Sequence, residues 1–227
     1  ARIRRWVMSQ FGPRLRFSPA TVLRSYLVSY FRQAVPDFRF SLQPGDEAPG
    51  VDGNLYDRFM ATLPYLNDSL GSEFDLENPS PWAFWRRTPW VGTRHRLDAL
   101  IGRTFDSRQM SAQALEHIDD FFGPINLRTM SQPIYFAQMS EVSDDRGLDS
   151  FGRDAEPLLR HVRMLSLHGM TNGLADPETE RLLREWAHAN QLSLEQKTFS
   201  SHGHQDTLIG RDCAEVFRAV SDFLKDQ

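Results

Sequence analysis

The sequence lacks the features of disulfide-stabilised and membrane-spanning proteins. Cys213 is the single cysteine among 227 residues, so no internal disulfide can form, and a reducing compartment, the cytoplasm, is expected. No apolar run approaches the ~18–20 residues of a membrane span, and residues 1–30 do not have the zones of a signal peptide. The fold must therefore depend on an ordinary packed core.

An excess of positive charge is also missing. Lys+Arg 26 against Asp+Glu 30 leaves a formal net charge of −4, which gives no reason to expect nucleic acid or an anionic membrane surface as a partner. The hydrophobic fraction of 40% and the length allow one large domain or two small ones.

The first two thirds of the chain predict one strand followed by helices. Residues 5–11 form an apolar-rich run that ends at Gly12-Pro13, as expected of a buried strand. Residues 18–155 read as mostly helical with long loops, and Ser18 and Ser111 are predicted helix N-caps. Aromatic residues crowd one part of this region, which indicates either a lid that covers an apolar pocket or a core cluster: Trp82, Trp85 and Trp90.

The last seventy residues change character and predict an α/β unit. Strands are expected at residues 162–167 and 192–199, with a helix at 177–189 that Asp176 caps, and a final helix at about 212–224. Strand, helix and strand in this order imply parallel pairing. The buried face of the final helix is predicted to contain Cys213, Val216, Phe217, Val220 and Leu224.

Two polar loops follow these strands, and the second is rich in chemistry. It reads Ser201-His-Gly-His-Gln-Asp-Thr-Leu-Ile-Gly210. A histidine on a loop beyond a strand end can take a proton from a nucleophile, so His204 could act in this way or could merely bond the loop backbone. His202 is the nearest rival. His202, His204 and Asp206 also suggest a metal site, but no further ligand has suitable spacing, so no metal is expected.

A nucleophile is harder to find. Gly169-Met-Thr-Asn-Gly173 matches a G-x-[S/T]-x-G elbow with Thr171 as nucleophile. This assignment is rejected because only about thirty residues separate Thr171 from His204, no acid loop intervenes, and threonine is crowded at an elbow. No G-x-S-x-G occurs elsewhere, so the nucleophile, Ser or Cys, is expected outside this sequence.

The order strand–His-Gly-x-x-Asn–helix–strand–Gly-His-x-Asp–helix resembles the end of the α/β-hydrolase fold, and the second loop is similar to the histidine loop of acid-lipase-like hydrolases. The resemblance implies that His204 is the catalytic histidine. It places Asn172 at the position of the triad acid, where an amide can orient an imidazole by accepting a hydrogen bond but cannot neutralise the imidazolium. Asp176 is the alternative acid, although capping the next helix is its favoured role.

The middle of the chain extends this resemblance. Trp90-Val-Gly-Thr-Arg-His-Arg-Leu-Asp-Ala-Leu-Ile-Gly102 and Asp119-Asp-Phe-Phe-Gly-Pro-Ile-Asn126 resemble the cap of a bacterial α/β-hydrolase group often fused to, or beside, flavin oxidoreductases of the glucose–methanol–choline type. Residues 1–17 and 156–227 would then be the C-terminal part of the core, with its sixth to eighth strands, and 18–155 the cap.

The resemblance implies an esterase or lipase that acts on an apolar acyl ester without a cofactor. An upstream segment or a partner polypeptide would complete the hydrolase core. The alternative is a non-catalytic α/β-hydrolase-like module that docks onto a flavin oxidoreductase or another subunit.

Overall fold

The computed structural model describes residues 3–19, 21–26, 104–117, 127–144 and 156–225. Trp82, Trp85 and Trp90 and both cap motifs lie outside the described residues. Strands and helices in the described ranges follow in this order: β1 (Arg5–Ser9), a 3₁₀ turn (Ser107–Gln109), α1 (Ala112–Glu116), α2 (Leu127–Met139), α3 (Glu156–Leu159), β2 (Arg163–Gly169), α4 (Glu178–Ala189), β3 (Ser193–Phe199), α5 (Asp206–Ile209) and α6 (Cys213–Lys225).

The three strands form a parallel sheet in the order β1-β2-β3, with Val7 opposite Leu165 and Leu165 opposite Glu195. Helix α4 makes the crossover from β2 to β3, as a parallel pair requires. The central strand β2 is buried along almost its whole length because helices cover both of its faces. This small parallel sheet with its helices is compatible with the predicted α/β class, and the parallel pairing of the two C-terminal strands is confirmed.

Alternate residues of β2 face two separate hydrophobic clusters. Met164 packs with Leu183 and Ala187 of α4 on one face. Leu165 packs with Val216 of α6 on the other face. Burying a large apolar side chain contributes about 1.5–3 kcal/mol, so these two layers fix the helices against the sheet.

The prediction of the buried face of α6 is wrong in part, because the helix is rotated by about one residue relative to the predicted orientation. Phe217 and Leu224 are each 51% exposed, whereas Ala219 and Phe223 are buried. The helix contacts the sheet through Val216, Ala219 and Phe223 because the small Ala219 allows a close approach and the Phe223 ring packs into the core. Apolar residues occur on more than one face of this helix, so periodicity alone does not choose between them.

The segment after β1 braces the loop that follows β2. Isolated antiparallel bridges join Arg14 to Glu141 and Phe17 to Ala175. The backbone N–H of Ser18 donates to the carbonyl of Leu174 over 3.2 Å. This segment therefore ties the described part of the middle region to the edge of the sheet.

Two of the predicted helix caps are confirmed. Ser18 Oγ accepts from the backbone N–H of Thr21 over 3.2 Å, and Ser111 Oγ accepts from that of Ala114 over 3.0 Å. None of the helices within the described ranges combines the length and hydrophobicity needed to cross a bilayer.

Candidate active site

Polar side chains gather where the three parallel strands end. Gln10 directly follows β1, Asn172 follows β2, and His204 follows β3. Because the carboxyl ends of parallel strands meet at one edge of a sheet, residues distant in the chain become neighbours there, and ligands of open α/β sheets bind at this edge. These three residues are called the amide relay below.

Glycine allows the loops at this edge to approach each other. A Cβ atom on Gly169 would lie 2.3 Å from the carbonyl oxygens of both His202 and Gly203. Only glycine fits such a backbone approach. The His-Gly pair at the end of β2 thus has a packing reason, because it brings the histidine loop against the strand.

The Gly-His-x-Asp pattern also has a structural explanation. Asp206 Oδ2 accepts from the backbone N–H of Gly203 over 2.7 Å, and Oδ1 accepts from that of Asp106 over 3.3 Å. A Cβ on Gly210 would lie 2.4 Å from the Asp206 carbonyl oxygen. Asp206 is fully buried, and this desolvation raises the pKa of its carboxyl. It therefore holds the loop that presents His204.

His204 is half-buried and lies against Asn172. Its Nδ1 is 3.2 Å from Asn172 Nδ2, across the gap between the loops after β2 and β3. Burial, followed by the repulsion that a charged His168 would exert, lowers the pKa of His204 to about 4. The imidazole is therefore neutral at neutral pH.

The amide of Asn172 presents a donor to this imidazole, which corrects the expected acceptor. Asn172 Oδ1 accepts from the backbone N–H groups of Leu174 at 2.9 Å and Ala175 at 3.0 Å. Its Nδ2 must then face the other way, where it donates to Gln10 Oε1 at 2.5 Å and to His204 Nδ1. The backbone N–H groups of Leu174 and Ala175 fix this orientation, because a reversed amide would place its NH₂ group against these two donors.

The donor at Asn172 sets the tautomer of His204. A neutral imidazole has one N–H and one acceptor nitrogen, and Nδ1 is the acceptor here. The proton of neutral His204 therefore lies on Nε2. In a Ser-His-Asp triad the arrangement is the reverse, with the proton on Nδ1 and Nε2 free to act as base.

Asp176 has the capping role that the sequence favoured. Its Oδ1 accepts from the backbone N–H of Glu178, the first residue of α4, over 2.8 Å. Its own backbone N–H donates to the carbonyl of Arg16 over 2.6 Å. No hydrogen bond joins Asp176 to His204 in the part of the chain that the structure describes.

His202 does not share the surroundings of His204. It is 2% exposed, and its ring packs edge-on against Phe199 with centroids 5.6 Å apart. Neither ring nitrogen has a hydrogen-bond partner among the described residues. Among those residues no group of three or more His, Cys, Asp or Glu side chains is arranged to hold a metal ion.

A second polar group lies under the start of α4 and was not anticipated. Ser166 Oγ donates to Glu180 Oε1 over 2.7 Å, and Gln196 Nε2 donates to Oε2 over 2.6 Å. His168 Nδ1 lies 3.8 Å from Oε1, and neither ring nitrogen has a hydrogen-bond partner in the described ranges. Ser166, His168, Glu180 and Gln196 are called the glutamate cluster below.

Burial shifts both ionisable groups of the glutamate cluster toward neutrality. It lowers the pKa of His168 to about 4, although the charge of Asp176 acts in the opposite sense. It also raises the pKa of Glu180, although the hydrogen bonds from Ser166 and Gln196 oppose this. The contact between His168 and Glu180 is thus no ion pair at neutral pH.

Gln10 is the residue of the amide relay that sequence reasoning missed. A polar residue at the end of an apolar strand, directly before Phe11-Gly12-Pro13, was the available signal. Its importance depends on pairing with a strand far along the chain, which local periodicity does not show.

The comparisons with known proteins do not identify a family. No family model and no curated protein match the sequence. A solved structure described as that of a candidate aryl esterase from Burkholderia cenocepacia is similar at 16% identity and a TM-score of 0.32. The match covers 98% of this chain and 64% of that one, so the chain spans less than two thirds of its length. A similarity this weak carries no argument about fold or function.

Proposed function

We propose that this chain is the C-terminal part of an α/β-hydrolase of esterase or lipase type, and that His204 is its catalytic histidine. The observation that carries the proposal is the 3.2 Å contact between Asn172 and His204, made by the loops that follow adjacent parallel strands. The resemblance of the sequence assigns the triad acid and the triad histidine to these two loops. The substrate class is an apolar acyl ester.

The proposal assigns separate tasks to the parts of the chain. His204 transfers the proton between nucleophile and leaving group, and Asn172 orients its imidazole. The nucleophile, Ser or Cys, belongs to an upstream segment or a partner polypeptide that completes the core. Residues 18–155 form the cap, with Trp82, Trp85 and Trp90 over the apolar pocket.

The donor at Asn172 favours a second candidate, a non-catalytic α/β-hydrolase-like module that docks onto a flavin oxidoreductase or another subunit. A base must accept a proton at Nε2, and the resting tautomer already carries one there. Catalysis therefore requires this proton to leave Nε2 when the nucleophile and substrate are in place. A binding module has no such requirement.

Assays of the full-length protein with short and long acyl esters separate the two candidates. If His204 is the base, His204→Ala should lower kcat/KM by about 10²–10⁴-fold. His188→Ala, at an exposed position on α4, is the matched control and should keep the parent activity. Equal turnover of the parent and His204→Ala would rule out catalysis by His204 and leave the module as the better account.

A further inference from the structure

Gln10 occupies a conformation that few residues adopt. Its φ of 55° lies in the left-handed region, and its side chain is buried, with the residue 3% exposed. Residues with a side chain rarely adopt this backbone conformation, and it persists only where surrounding contacts enforce it. The contacts that enforce it include those of the side-chain amide of Gln10.

Those contacts fix which end of the amide faces Asn172. Nε2 donates to the carbonyl of Gly203 over 2.9 Å and to the carbonyl of His204. Oε1 accepts from the backbone N–H of Gly169 over 3.3 Å. Reversing the amide would set Oε1 against two carbonyl oxygens and Nε2 against an N–H, so backbone groups hold Oε1 toward position 172.

The oxygen of Gln10 then selects the side chain at position 172. Asn172 Nδ2 meets Oε1 at 2.5 Å with a proton between the two atoms. A carboxylate oxygen in the same place would set two acceptors against each other without a proton. An aspartate at 172 would have to keep its proton or leave this position.

We propose that Gln10 is a positioning residue that admits an amide and excludes an ionised carboxylate at position 172, where the amide of Asn172 holds His204 in its neutral Nε2–H tautomer. The inference concerns the resting site and stands for either candidate function. His204 held in this way offers an N–H donor to a ligand oxygen. Any use of it as a base starts from this state.

Nuclear magnetic resonance of the full-length protein with ¹⁵N-labelled histidine tests the inference without an activity assay. The His204 signals are assigned by their loss in His204→Gln. The wild type should show the Nε2–H tautomer at neutral pH. An Nδ1–H tautomer in the wild type would overturn the proposal.

A double-mutant cycle tests the role of Gln10 itself. In Asn172→Asp, Gln10 keeps the new carboxyl neutral, so the pKa of His204 should stay within about one unit of its wild-type value. In Asn172→Asp with Gln10→Met, the opposing oxygen is gone, the carboxyl ionises, and the pKa of His204 should be at least about one unit above that of Asn172→Asp. Equal His204 pKa values with and without Gln10 would contradict the selection.

Two controls keep the cycle decisive. Gln10→Met alone should retain the Nε2–H tautomer, because Leu174 and Ala175 still orient Asn172. Asn190→Asp adds the same charge at the end of α4 and should leave the pKa of His204 unchanged.

If the Gln10→Met proteins do not fold, the wild type and Asn172→Asp decide the question. An Nδ1–H tautomer of His204 in the wild type would refute the proposal. A rise in the pKa of His204 well beyond one unit in Asn172→Asp would also refute it.

Discussion

The amide relay and the glutamate cluster both lie at the end of β2, where His168 and Asn172 are separated by Gly169 and a short turn. In the relay, the amides of Gln10 and Asn172 are paired with backbone groups and with each other. In the cluster, the buried carboxyl of Glu180 lies beside the buried imidazole of His168. Neither ring nitrogen of His168 has a hydrogen-bond partner among the described residues. The two amides of the relay thus set the direction of the hydrogen bonds without an ionisable group, whereas the carboxyl of the cluster, like the imidazoles of both groups, makes stability depend on pH.

Gly169→Ala should disrupt both groups and have the largest effect. The added Cβ would lie 2.3 Å from two backbone oxygens that cannot move independently of their loop. We expect the free energy of unfolding in urea to fall by about 4 kcal/mol or more.

Gly12→Ala is the matched control for that substitution. Its Cβ would meet its nearest neighbours at 3.5 Å, an ordinary contact, so a change of less than about 1 kcal/mol is expected. Similar losses in the two variants would show that the approach of the loops to Gly169 is not a constraint.

Glu180→Ala should damage the cluster and leave the relay intact. It leaves Ser166 and Gln196 without their acceptor and opens a cavity, at a cost of about 3 kcal/mol in the free energy of unfolding. Retention of the wild-type His204 tautomer in this variant would sharpen the contrast between the two groups.

Glu180→Gln is the control that separates charge from shape. Gln can donate to the Ser166 hydroxyl and accept from Gln196, so the hydrogen bonds survive. Because the pKa of Glu180 is raised, its stabilising contribution is present at low pH and lost as pH rises through the folded-state pKa. The free energy of unfolding of Glu180→Gln, relative to that of the wild type, should therefore be higher at pH 8 than at pH 4. A higher relative value at pH 4 would contradict the raised pKa of Glu180.

His168→Gln should reduce the loss of stability of the protein on the acid side of neutral pH. The pKa of His168 falls to about 4 in the folded protein, so its contribution is present above pH 6.5 and lost as pH falls toward 4. The wild type should lose up to about 3 kcal/mol over this interval through this group. Urea unfolding at several pH values measures it, with exposed His188→Gln as a control that should keep the wild-type slope.

The strands were predictable because their hydrophobic runs are local signals. β2 and β3 begin and end within a residue or two of the predicted limits, and the helix between them begins one residue later than expected. The exposed Phe217 shows where periodicity fails, because the face of a helix that is buried depends on the shape of the sheet it meets. Glu180 was missed for a related reason, since a charged residue in the first turn of a helix is ordinarily solvated.

The contact between Asn172 and His204 was predictable from the sequence, but the part played by Gln10 and the direction of the hydrogen bonds were not. The loop pattern placed Asn172 beside His204, which the structure shows in contact. Which atom of the amide faces the imidazole depends on the backbone N–H groups of Leu174 and Ala175 and on Gln10, and these follow from tertiary geometry. A sequence motif can identify the residues of a site, whereas the direction of their hydrogen bonds depends on the three-dimensional structure.

The long chain separation between β1 and its partners bears on the order in which the site assembles. Asn172 and His204 are 32 positions apart, whereas Gln10 and Asn172 are 162 positions apart. By loop-closure entropy alone, the second contact costs about 1.4 kcal/mol more to form than the first. Loop-closure entropy therefore favours formation of the contact between Asn172 and His204, which lies within the β2–α4–β3 unit, before the contact of Gln10 with Asn172.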